Sequence, residues 1–581
     1  AADGNPVSAT VQFKIYNYAE FYTVATKQSD AHGYASLTAG RGDLLAWASD
    51  GQHWGYAKCS VGRGDTITVR LDKTAAYAGT EEIDIHPPVQ SDNMPVVTEA
   101  QAARNRQLLA YEDSLRNDYV ARTFLSADEA ANLSRSLPPD MEALPRLLTE
   151  ACGNVETLRC FIEKVPDGKR SRAMALLSVI SEKDRRDITT EILDDNFLHT
   201  PEGSGPLYDK YVLNPRVAHE PLTPYKGYFA KVILPADQSR YRQQPALWAA
   251  WCRQSVKVDD TWNPDGLCQS PRAVWETRST DAFSRDLFFV AAARAMGIPA
   301  RIDPVTGRTE YGDANGKWHD AGLDPDNATA GGDDGRLTAS FIPAAHVDDP
   351  KYYTHFTLSK IVDGMPRLLN YDEGETWSRL LKDGTNIEAG QYVMTTGTRM
   401  ADGSVLARMT VFGVKAGSET DVPLVLRESQ DGVQVIGSFN SENLYYDLAE
   451  KKEKSLLSTT GRGYYVVGLI TPNHEPTNHA LRDIAAVADD LKTWGRTLVL
   501  LFADENEASR FKAAEFNLPE NVVFGIDNSG KIAREIETNL KLPNASRPVF
   551  IIGDTFNRVV FVSQGYTIGL GEQLMKTIHQ L

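Results

Sequence analysis

The feature that most constrains the fold is the stretch at residues 281 to 303, which reads DAFSRDLFFVAAARAMGIPARID. The part from Leu287 to Ala293 is apolar on every side of a helix, and such a helix is stable only when it is buried in a core. The sequence therefore predicts a central buried helix within a globular domain. A chain of 581 residues is long enough for several such cores, and length alone predicts about four domains.

Charge and hydropathy exclude two classes of partner. The formal net charge is -17 and no run of Lys and Arg stands out, which argues against binding to a phosphate backbone, so we expect no nucleic acid partner. No apolar stretch reaches the roughly 18 residues that a membrane-spanning helix needs. The opening AADGNPVSA has neither a basic nor an apolar leader region. We expect a soluble chain without a transmembrane segment, either mature or a fragment.

The cysteines do not form a recognisable framework. Five are present, namely Cys59, Cys152, Cys160, Cys252 and Cys268. None lies in a C-x-x-C pair with metal-ligand spacing, so a structural zinc site is not expected. Cys152 with Cys160, or Cys252 with Cys268, can pair in an oxidising compartment if their Cβ atoms meet. With an odd number of cysteines, at least one thiol stays free or pairs outside the chain.

Residues 1–85 alternate apolar and polar positions in short runs separated by turns, as in SATVQFKIYN, RGDLLAWAS and DTITVRLD. This period of two predicts a small β-sandwich. An opening strand, a D-x-x-G turn from Asp30 to Gly33 and the strand GDLLAWA together resemble the carboxypeptidase regulatory-like module. The resemblance implies an accessory module that is usually found outside the cytoplasm.

Three further regions follow along the chain. The Pro-rich stretch at 86–95, HPPVQSDNMP, is typical of a linker. Apolar residues at helical spacing then predict a helical spacer over 96–200. Residues 204–330 mix helix and strand and contain the buried helix. At 338–450 the period of two returns in THFTLSKIVD, GQYVMTTGTRM and SVLARMTVFGV, which predicts a second β-sandwich.

The last block, 455–581, alternates strands and helices and ends in a strand pair and a helix, which predicts an α/β layer fold. Its order resembles thioredoxin-like domains, in which a proline, here Pro548, opens a late strand and is often cis. Redox thioredoxins carry two cysteines after the central strand. After TLVLLF this chain instead has Glu507 and Arg510 near those positions, so dithiol chemistry is not expected. The domain either docks a partner or is purely structural.

The buried helix carries a second resemblance. It ends in a pattern made of Arg294, Gly297, Ile298, Pro299, Ala300 and Arg301, and two helical stretches, PALWAAWCRQSVKVDD and SPRAVWETRS, precede it. In these features residues 204–330 resemble the transglutaminase-like superfamily, whose core is a papain-like α+β fold. In that family Gly-x-Cys begins the helix, where the unpaired N–H groups and the helix dipole favour a reactive thiolate.

The reactive residues of that family are replaced here. The family's spacing puts Ala282 at the cysteine position, Thr280 at the glycine position and Gly307 at the histidine position. A methyl group cannot attack a carbonyl, and the loss of nucleophile and base together removes the chemistry. An engineered Cys-to-Ala change at residue 282 would not explain Gly307. The resemblance therefore implies a transglutaminase-like scaffold without its catalytic set.

A relocated active site is the alternative, and Ser284, His319 and Asp324 are its candidate catalytic residues. Ser284 lies roughly 200° around the helix from the position of the lost cysteine, so it cannot point the same way. Its ordinary role is a hydroxyl contact in the first turn. His319 resembles a solvent-facing strand histidine. Cys268 lies in a Gly- and Pro-rich turn without a nearby histidine in sequence.

The groove at the start of this helix is the predicted binding site. Its candidate residues are Thr280, Ala282, Trp275 and Trp318. Tryptophans are good ligand platforms, although most serve in packing. The acidic turn at 324–335, DPDNATAGGDDG, resembles a calcium loop only loosely and lacks the terminal Glu of an EF-hand. We therefore predict neither a metal nor a cofactor.

These predictions combine into one description. The chain is expected to be a multidomain α+β protein, and its order of domains resembles large transglutaminase-like surface or periplasmic proteins of Bacteroides-type bacteria. That resemblance implies an extracytoplasmic location in the periplasm or at the cell surface, an outer-membrane lipoprotein being one form. The expected function is non-catalytic binding or scaffolding of a peptide, a glycan or an envelope protein. A peptidase-, amidase- or acyltransferase-type enzyme with a relocated site is the alternative.

Overall fold

The structure is a computed structural model. It describes residues 1–61, 66–88, 96–263, 266–313, 315–323, 334–344, 347–429, 432–542 and 546–581. The chain forms two compact units, which we call the first unit (1–90 with 333–581) and the second unit (91–332). It is a mixed α/β, multidomain protein with several sheets, in agreement with the coarse prediction.

The first unit opens with five strands: β1 (Thr10–Asn17), β2 (Glu20–Gln28), β3 (Gly42–Ser49), β4 (Trp54–Val61) and β5 (Gly79–Ile85). Strands β1 to β4 form an antiparallel sheet in the order β2-β1-β3-β4. Because side chains alternate along a strand, Leu45 and Trp47 share one face of β3, and both are buried. The β1–β2 ladder shifts register between Phe13 and Lys14, and Lys14 is buried.

The second unit begins with seven helices: α1 (Glu99–Thr123), α2 (Ala127–Ser136), α3 (Leu144–Glu150), α4 (Val155–Glu163), α5 (Arg170–Val179), α6 (Glu182–Arg185) and α7 (Thr190–His199). Capping boxes begin α1 and α2, where Thr98 pairs with Gln101 and Ser126 with Glu129. These reciprocal hydrogen bonds satisfy N–H groups that a helix start leaves open. The later helices bury a continuous leucine-rich core, whereas α1 buries none of its residues.

The rest of the second unit mixes helices and short strands: α8 (Lys226–Val232), α9 (Pro235–Gln243), α10 (Pro245–Ser255), β6 (Lys257–Val258), α11 (Pro271–Thr277), β7 (Ser279–Thr280), α12 (Ala282–Ala295), β8 (Ala300–Ile302), β9 (Thr309–Gly312) and β10 (Trp318–Asp320). Helix α12 is the predicted buried helix, and every residue from Leu287 to Ala293 is fully buried. It leads into the antiparallel sheet β10-β9-β8. Strand β6 pairs in parallel with β7, and β7 ends just before α12 begins.

The first unit resumes with β11 (Asp334–Phe341), β12 (Phe356–Val362), β13 (Met365–Leu368), α13 (Trp377–Leu380), β14 (Thr385–Glu388), β15 (Gly390–Arg399), β16 (Val405–Val414) and β17 (Glu419–Leu424). Strand β5 from the start of the chain pairs with β16, which completes the five-stranded sheet β13-β12-β15-β16-β5. A three-stranded sheet, β14-β11-β17, accompanies it.

The two predicted sandwiches, 1–85 and 338–450, are not separate. The sheet of β1 to β4 packs its buried face against the five-stranded sheet in one shared apolar core. Trp47 Nε1 donates a hydrogen bond to Gly364 O at 2.8 Å, and Ser49 Oγ donates one to Asp363 O at 2.7 Å. A sheet of four strands has one apolar face that a second sheet must cover. Here strands from distant parts of the chain supply that second sheet.

The end of the chain forms β18 (Gly437–Ser438), β19 (Leu444–Asp447), β20 (Lys452–Ser455), α14 (Leu456–Thr460), β21 (Tyr464–Leu469), α15 (Glu475–Ala486), α16 (Ala488–Trp494), β22 (Leu498–Phe502), α17 (Glu505–Arg510), β23 (Val522–Ile526), α18 (Lys531–Asn539), β24 (Val549–Asp554), β25 (Arg558–Gln564) and α19 (Leu570–Ile578). One sheet contains all of these strands, in the order β18-β25-β24-β21-β22-β23-β19-β20. The predicted boundary at residue 455 therefore falls inside the sheet, because β18 to β20 precede it.

The peptide bond before Pro548 is cis. Strand β24 begins directly after this proline and pairs with β21, where Val549 lies opposite Leu469. Helix α15 begins shortly after β21, whereas the segment that the sequence analysis compared with a dithiol follows β22. His474 and Thr477 lie at the start of α15, and their Nδ1 and Oγ1 atoms are 3.5 Å apart. Cysteine is absent from these positions too.

Two further predictions concern the cysteines and the membrane. All five cysteines lie within the described residues, and none of them forms a disulfide there. The pairs Cys152–Cys160 and Cys252–Cys268 are therefore not disulfides in this structure. Among the described residues, no helix combines the length and the apolar character that crossing a membrane requires.

Candidate functional site

Two carboxylates occupy the N-terminus of α12. Asp281 is its N-cap, and Oδ1 of Asp281 accepts a hydrogen bond from Ser284 N at 2.8 Å. Oδ1 of Asp260 accepts one from Ala282 N, also at 2.8 Å. Burial raises the pKa of Asp281, but hydrogen bonds from Ser284 and Asn263 outweigh this and hold that pKa below its ordinary value. Two of the N–H groups that attract an anion to a helix start, those of Ala282 and Ser284, are thus already bonded to negative charge.

Ser284, the first alternative nucleophile, is buried with no exposed surface. Its Oγ accepts a hydrogen bond from the backbone N–H of Gln269 at 3.0 Å. This contact ties the loop before α11 to the first turn of α12. A hydroxyl that is buried and bonded in this way is not presented to a substrate, so Ser284 has the ordinary role of a first-turn contact.

His319, the alternative base, lies on β10 opposite Tyr311 of β9. Its Nε2 lies 2.9 Å from Asp313 Oδ2, and its ring stacks on that of Tyr311 at 5.6 Å between centroids. The hydrogen bond to His319 lowers the pKa of Asp313. Asp324, the alternative acid, lies outside the described residues. Within the described part of the chain, no hydrogen bond joins Ser284 to His319, so the alternative set is not brought together there.

A cleft of about 280 Å³ lies at the start of α12. Its described lining consists of Asp259, Asn263, Leu267, Cys268, Gln269, Ser279, Thr280 and Asp281. Thr280 is only 6% exposed, and in the described part of the structure its Oγ1 has no hydrogen-bond partner. A buried hydroxyl without a partner costs free energy, so a ligand that bonds to it gains affinity.

Strand β6 fixes Thr280 in this position. The backbone N–H of Asp259 donates to Thr280 O at 2.9 Å, and that of Lys257 donates to Arg278 O at 2.8 Å. Sequence reasoning identified Thr280 but missed Asp259 and Asn263, which also line the cleft. The signal for Asp281 was present, because an Asp before a helix is a favoured N-cap.

Cys268 lines the cleft, but its environment does not activate the thiol. Burial raises the pKa of Cys268, and the nearby carboxylates Glu220 and Asp281 act in the same direction. A reactive cysteine needs the opposite, a positive surrounding that favours the thiolate. Cys268 is therefore a protonated, weakly nucleophilic group at neutral pH.

The predicted groove tryptophans serve in packing. The ring of Trp275 stacks on Trp251 with centroids 5.2 Å apart, and the Arg278 guanidinium lies 3.8 Å from the Trp275 centroid. Trp318 contacts Tyr211 edge to face at 4.7 Å, and the Arg301 guanidinium covers it at 4.3 Å. These contacts occupy ring faces that a ligand would need.

Of the four predicted groove residues, the described lining of the cleft includes Thr280 but not Ala282, Trp275 or Trp318. Among the described residues there is also no group of three or more His, Cys, Asp or Glu side chains that can hold a metal ion. Most of the predicted acidic turn, 324–333, lies outside the described residues, and Asp334 begins β11.

Comparisons with known proteins add fold similarities for part of the chain. No family model and no curated protein matches it. Similar solved structures include peroxiredoxin 5 from Alvinella pompejana (16% identity, 26% of this chain and 99% of that chain, TM-score 0.21). A secreted disulfide oxidoreductase from Mycobacterium tuberculosis (18%, 24% and 96%, TM-score 0.20) and a conserved protein of unknown function from Bacteroides fragilis (13%, 24% and 96%, TM-score 0.19) also match. Such low scores assign no function to this chain.

Proposed function

We propose that this chain is a non-catalytic member of the transglutaminase-like superfamily that binds a partner in the cleft at the start of α12. Residues 204–330 form its transglutaminase-like core, and a carboxypeptidase regulatory-like module and a thioredoxin-like domain accompany it. The resemblance of this domain order to envelope proteins supports an extracytoplasmic location. The buried helix α12 and its passage into an antiparallel sheet support the assignment of the core.

One observation carries the proposal: Asp260 and Asp281 accept hydrogen bonds from the N–H groups of Ala282 and Ser284 in the first turn of α12. Acyl transfer needs those donors free to stabilise a thiolate or the oxyanion of a tetrahedral intermediate. Two fixed carboxylates at this point repel both species. Together with the methyl group of Ala282, they make the helix start a structural cap rather than a reactive centre.

The chemistry of the cleft favours a peptide over a glycan. Its described lining contains two carboxylates, Asp259 and Asp281, and neither lysine nor arginine, so a cationic ligand is preferred. The buried hydroxyl of Thr280 lacks a partner in the described structure, so a backbone amide or carbonyl that reaches it gains a hydrogen bond. Glycan binding usually requires an open aromatic face, and the faces of Trp275 and Trp318 are occupied. We therefore infer an extended, basic segment of an envelope protein as the ligand.

A binding measurement tests this proposal. Two fluorescein-labelled peptides of equal length are compared by fluorescence anisotropy, one with alternating Lys and Ala and one with alternating Glu and Ala. We expect the Lys peptide to bind and the Glu peptide to bind much more weakly. The variant Thr280→Val has nearly the same shape but lacks the hydroxyl, and we expect it to bind the Lys peptide about fivefold more weakly.

The control is Thr123→Val, at a partly buried threonine of α1 in the same unit. It should leave the affinity for the Lys peptide unchanged. Equal binding of both peptides by the native protein, or equal binding of the Lys peptide by native protein and Thr280→Val, contradicts the proposed site.

A further inference from the structure

A second cavity lies in the first unit, between the sheet of β1 to β4 and the five-stranded sheet. It has a volume of about 200 Å³. Lys14, Glu20 and Trp47 line it from the first sheet, and Ser359, Val393 and Thr395 line it from the second. None of these residues takes part in the cleft at α12. The cavity combines two opposite charges with hydroxyl groups and apolar walls inside a β-sandwich.

Lys14 is the most unusual residue of the cavity, because only 3% of it is exposed. Its Nζ donates one hydrogen bond, to Thr23 Oγ1 at 2.7 Å. An ammonium group has three N–H donors, so two remain for a ligand. Burial lowers the pKa of Lys14 to about 8, although Glu20 acts in the opposite direction. A charged group held in this way is costly without a further partner.

Glu20 lies at the start of β2 and lines the same cavity. Among the described residues, no ion pair joins it to Lys14 and no hydrogen bond reaches its carboxylate. Burial raises the pKa of Glu20, and Lys14 opposes that shift. The two charged groups are thus near enough to influence each other but are not in contact. A ligand can therefore bind between them and contact both the ammonium group of Lys14 and the carboxylate of Glu20.

The facing sheet supplies polar groups that are also open. Ser359 and Thr395 are at least nine-tenths buried, and within the described structure their hydroxyl groups make no side-chain hydrogen bond. Buried hydroxyls usually have a partner. Their position across the cavity from Lys14 allows both hydroxyls to bond to a carboxylate placed between the sheets. Val393 and Trp47 provide apolar surface beside them.

We propose that this cavity binds a free α-amino acid with an aliphatic side chain. Its carboxylate contacts Lys14, its ammonium group contacts Glu20, and its side chain packs on Trp47 and the apolar wall. Charge supports this class, because a site with one cation and one anion favours a zwitterion over a phosphate or another multiply charged anion. Size supports it too, since the cavity is smaller than the roughly 300–1,000 Å³ of sites for drug-sized ligands.

Isothermal titration with leucine tests the inference on the full chain. N-acetyl-leucine lacks the ammonium group and leucinamide lacks the carboxylate, while both keep the side chain. We expect leucine to bind, and each blocked form to bind about tenfold more weakly or worse, because each loses one charged hydrogen bond. Lack of leucine binding at millimolar concentration, or equal binding of leucine and N-acetyl-leucine, overturns the proposal.

Variants assign the binding to this cavity. Lys14→Met and Glu20→Gln should each weaken leucine binding about tenfold or more. Lys27→Met, at an exposed lysine on β2 of the same sheet, should leave binding unchanged. If Lys14→Met does not fold, Glu20→Gln alone tests the proposal. Glu20 is partly exposed, and its replacement by Gln removes only the charge of the side chain. Unchanged leucine binding in Glu20→Gln overturns the proposal, and the peptide assay at α12 is independent of this result.

Discussion

Replacing Arg216 with methionine is expected to lower the free energy of unfolding of the second unit by about 3–5 kcal/mol. Asp184 is only 1% exposed, and Arg216 Nε donates to Asp184 Oδ2 at 2.9 Å while Nη2 donates to Oδ1. Burial raises the pKa of Asp184, but the guanidinium outweighs it and holds that pKa below its ordinary value. Without Arg216 the carboxylate stays buried and loses both charged hydrogen bonds, and the mostly exposed Lys183, whose Nζ lies 3.6 Å from Oδ1, is left as a weaker partner.

Urea unfolding followed by circular dichroism measures this loss. The matched control is Arg116→Met on α1, whose ion pair with Asp113 is exposed on both sides. Such a pair contributes little, so the control should unfold close to the native midpoint. The double variant Arg216→Met with Asp184→Asn should recover part of the loss, because it removes the buried negative charge. A loss no larger than that of the control contradicts the assigned role of this pair.

Replacing Lys14 with methionine is expected to stabilise the first unit. The pKa of Lys14 falls from 10.5 in the unfolded chain to about 8 in the folded one, a difference worth roughly 3 kcal/mol at most. Because the folded pKa is lower, the unfolded chain binds more protons between these values. Native stability therefore rises from pH 8 to 10.5, and at neutral pH the buried charge costs its full amount. Methionine removes that cost.

Urea unfolding at pH 7 and pH 10 tests this prediction. The other titratable side chains that line the cavity, Glu20 and Tyr22, are present in both proteins, so they do not explain a difference. We expect Lys14→Met to be more stable than the native protein at pH 7, by a margin that shrinks toward pH 10. A less stable variant at pH 7 contradicts the description of Lys14 as a charge kept for binding at the expense of stability.

The buried helix is the part of the site that sequence reasoning predicted well. An apolar run without a polar side specifies burial directly, and an Asp before it specifies a cap. The pattern at its end also has a structural meaning. The buried Arg294 donates to Ala300 O at 2.9 Å and to Arg216 O at 2.6 Å, so it fixes the turn after α12 whether or not the site is reactive.

The parts that sequence reasoning missed depend on contacts between distant residues. Asp260 reaches Ala282 through the β6–β7 pairing, and a two-residue strand leaves no periodic signal. The pairing of β5 with β16 joins segments more than three hundred residues apart, so local alternation predicted two sandwiches where one exists. The inclusion of β18 to β20 in the last sheet also depends on pairings between distant strands, which no local pattern predicts.

The central proposal is that the domain over residues 204–330 binds a partner without catalysing acyl transfer. The most direct test is to measure ammonia release from glutamine-containing peptides, and peptide-bond cleavage, with the purified native protein and with Ala282→Cys. We expect neither protein to exceed a reaction without protein, because a thiol at residue 282 still faces Asp260 and Asp281 and lacks a histidine base at residue 307. Turnover by the native protein that Cys268→Ala or Ser284→Ala abolishes would contradict the claim.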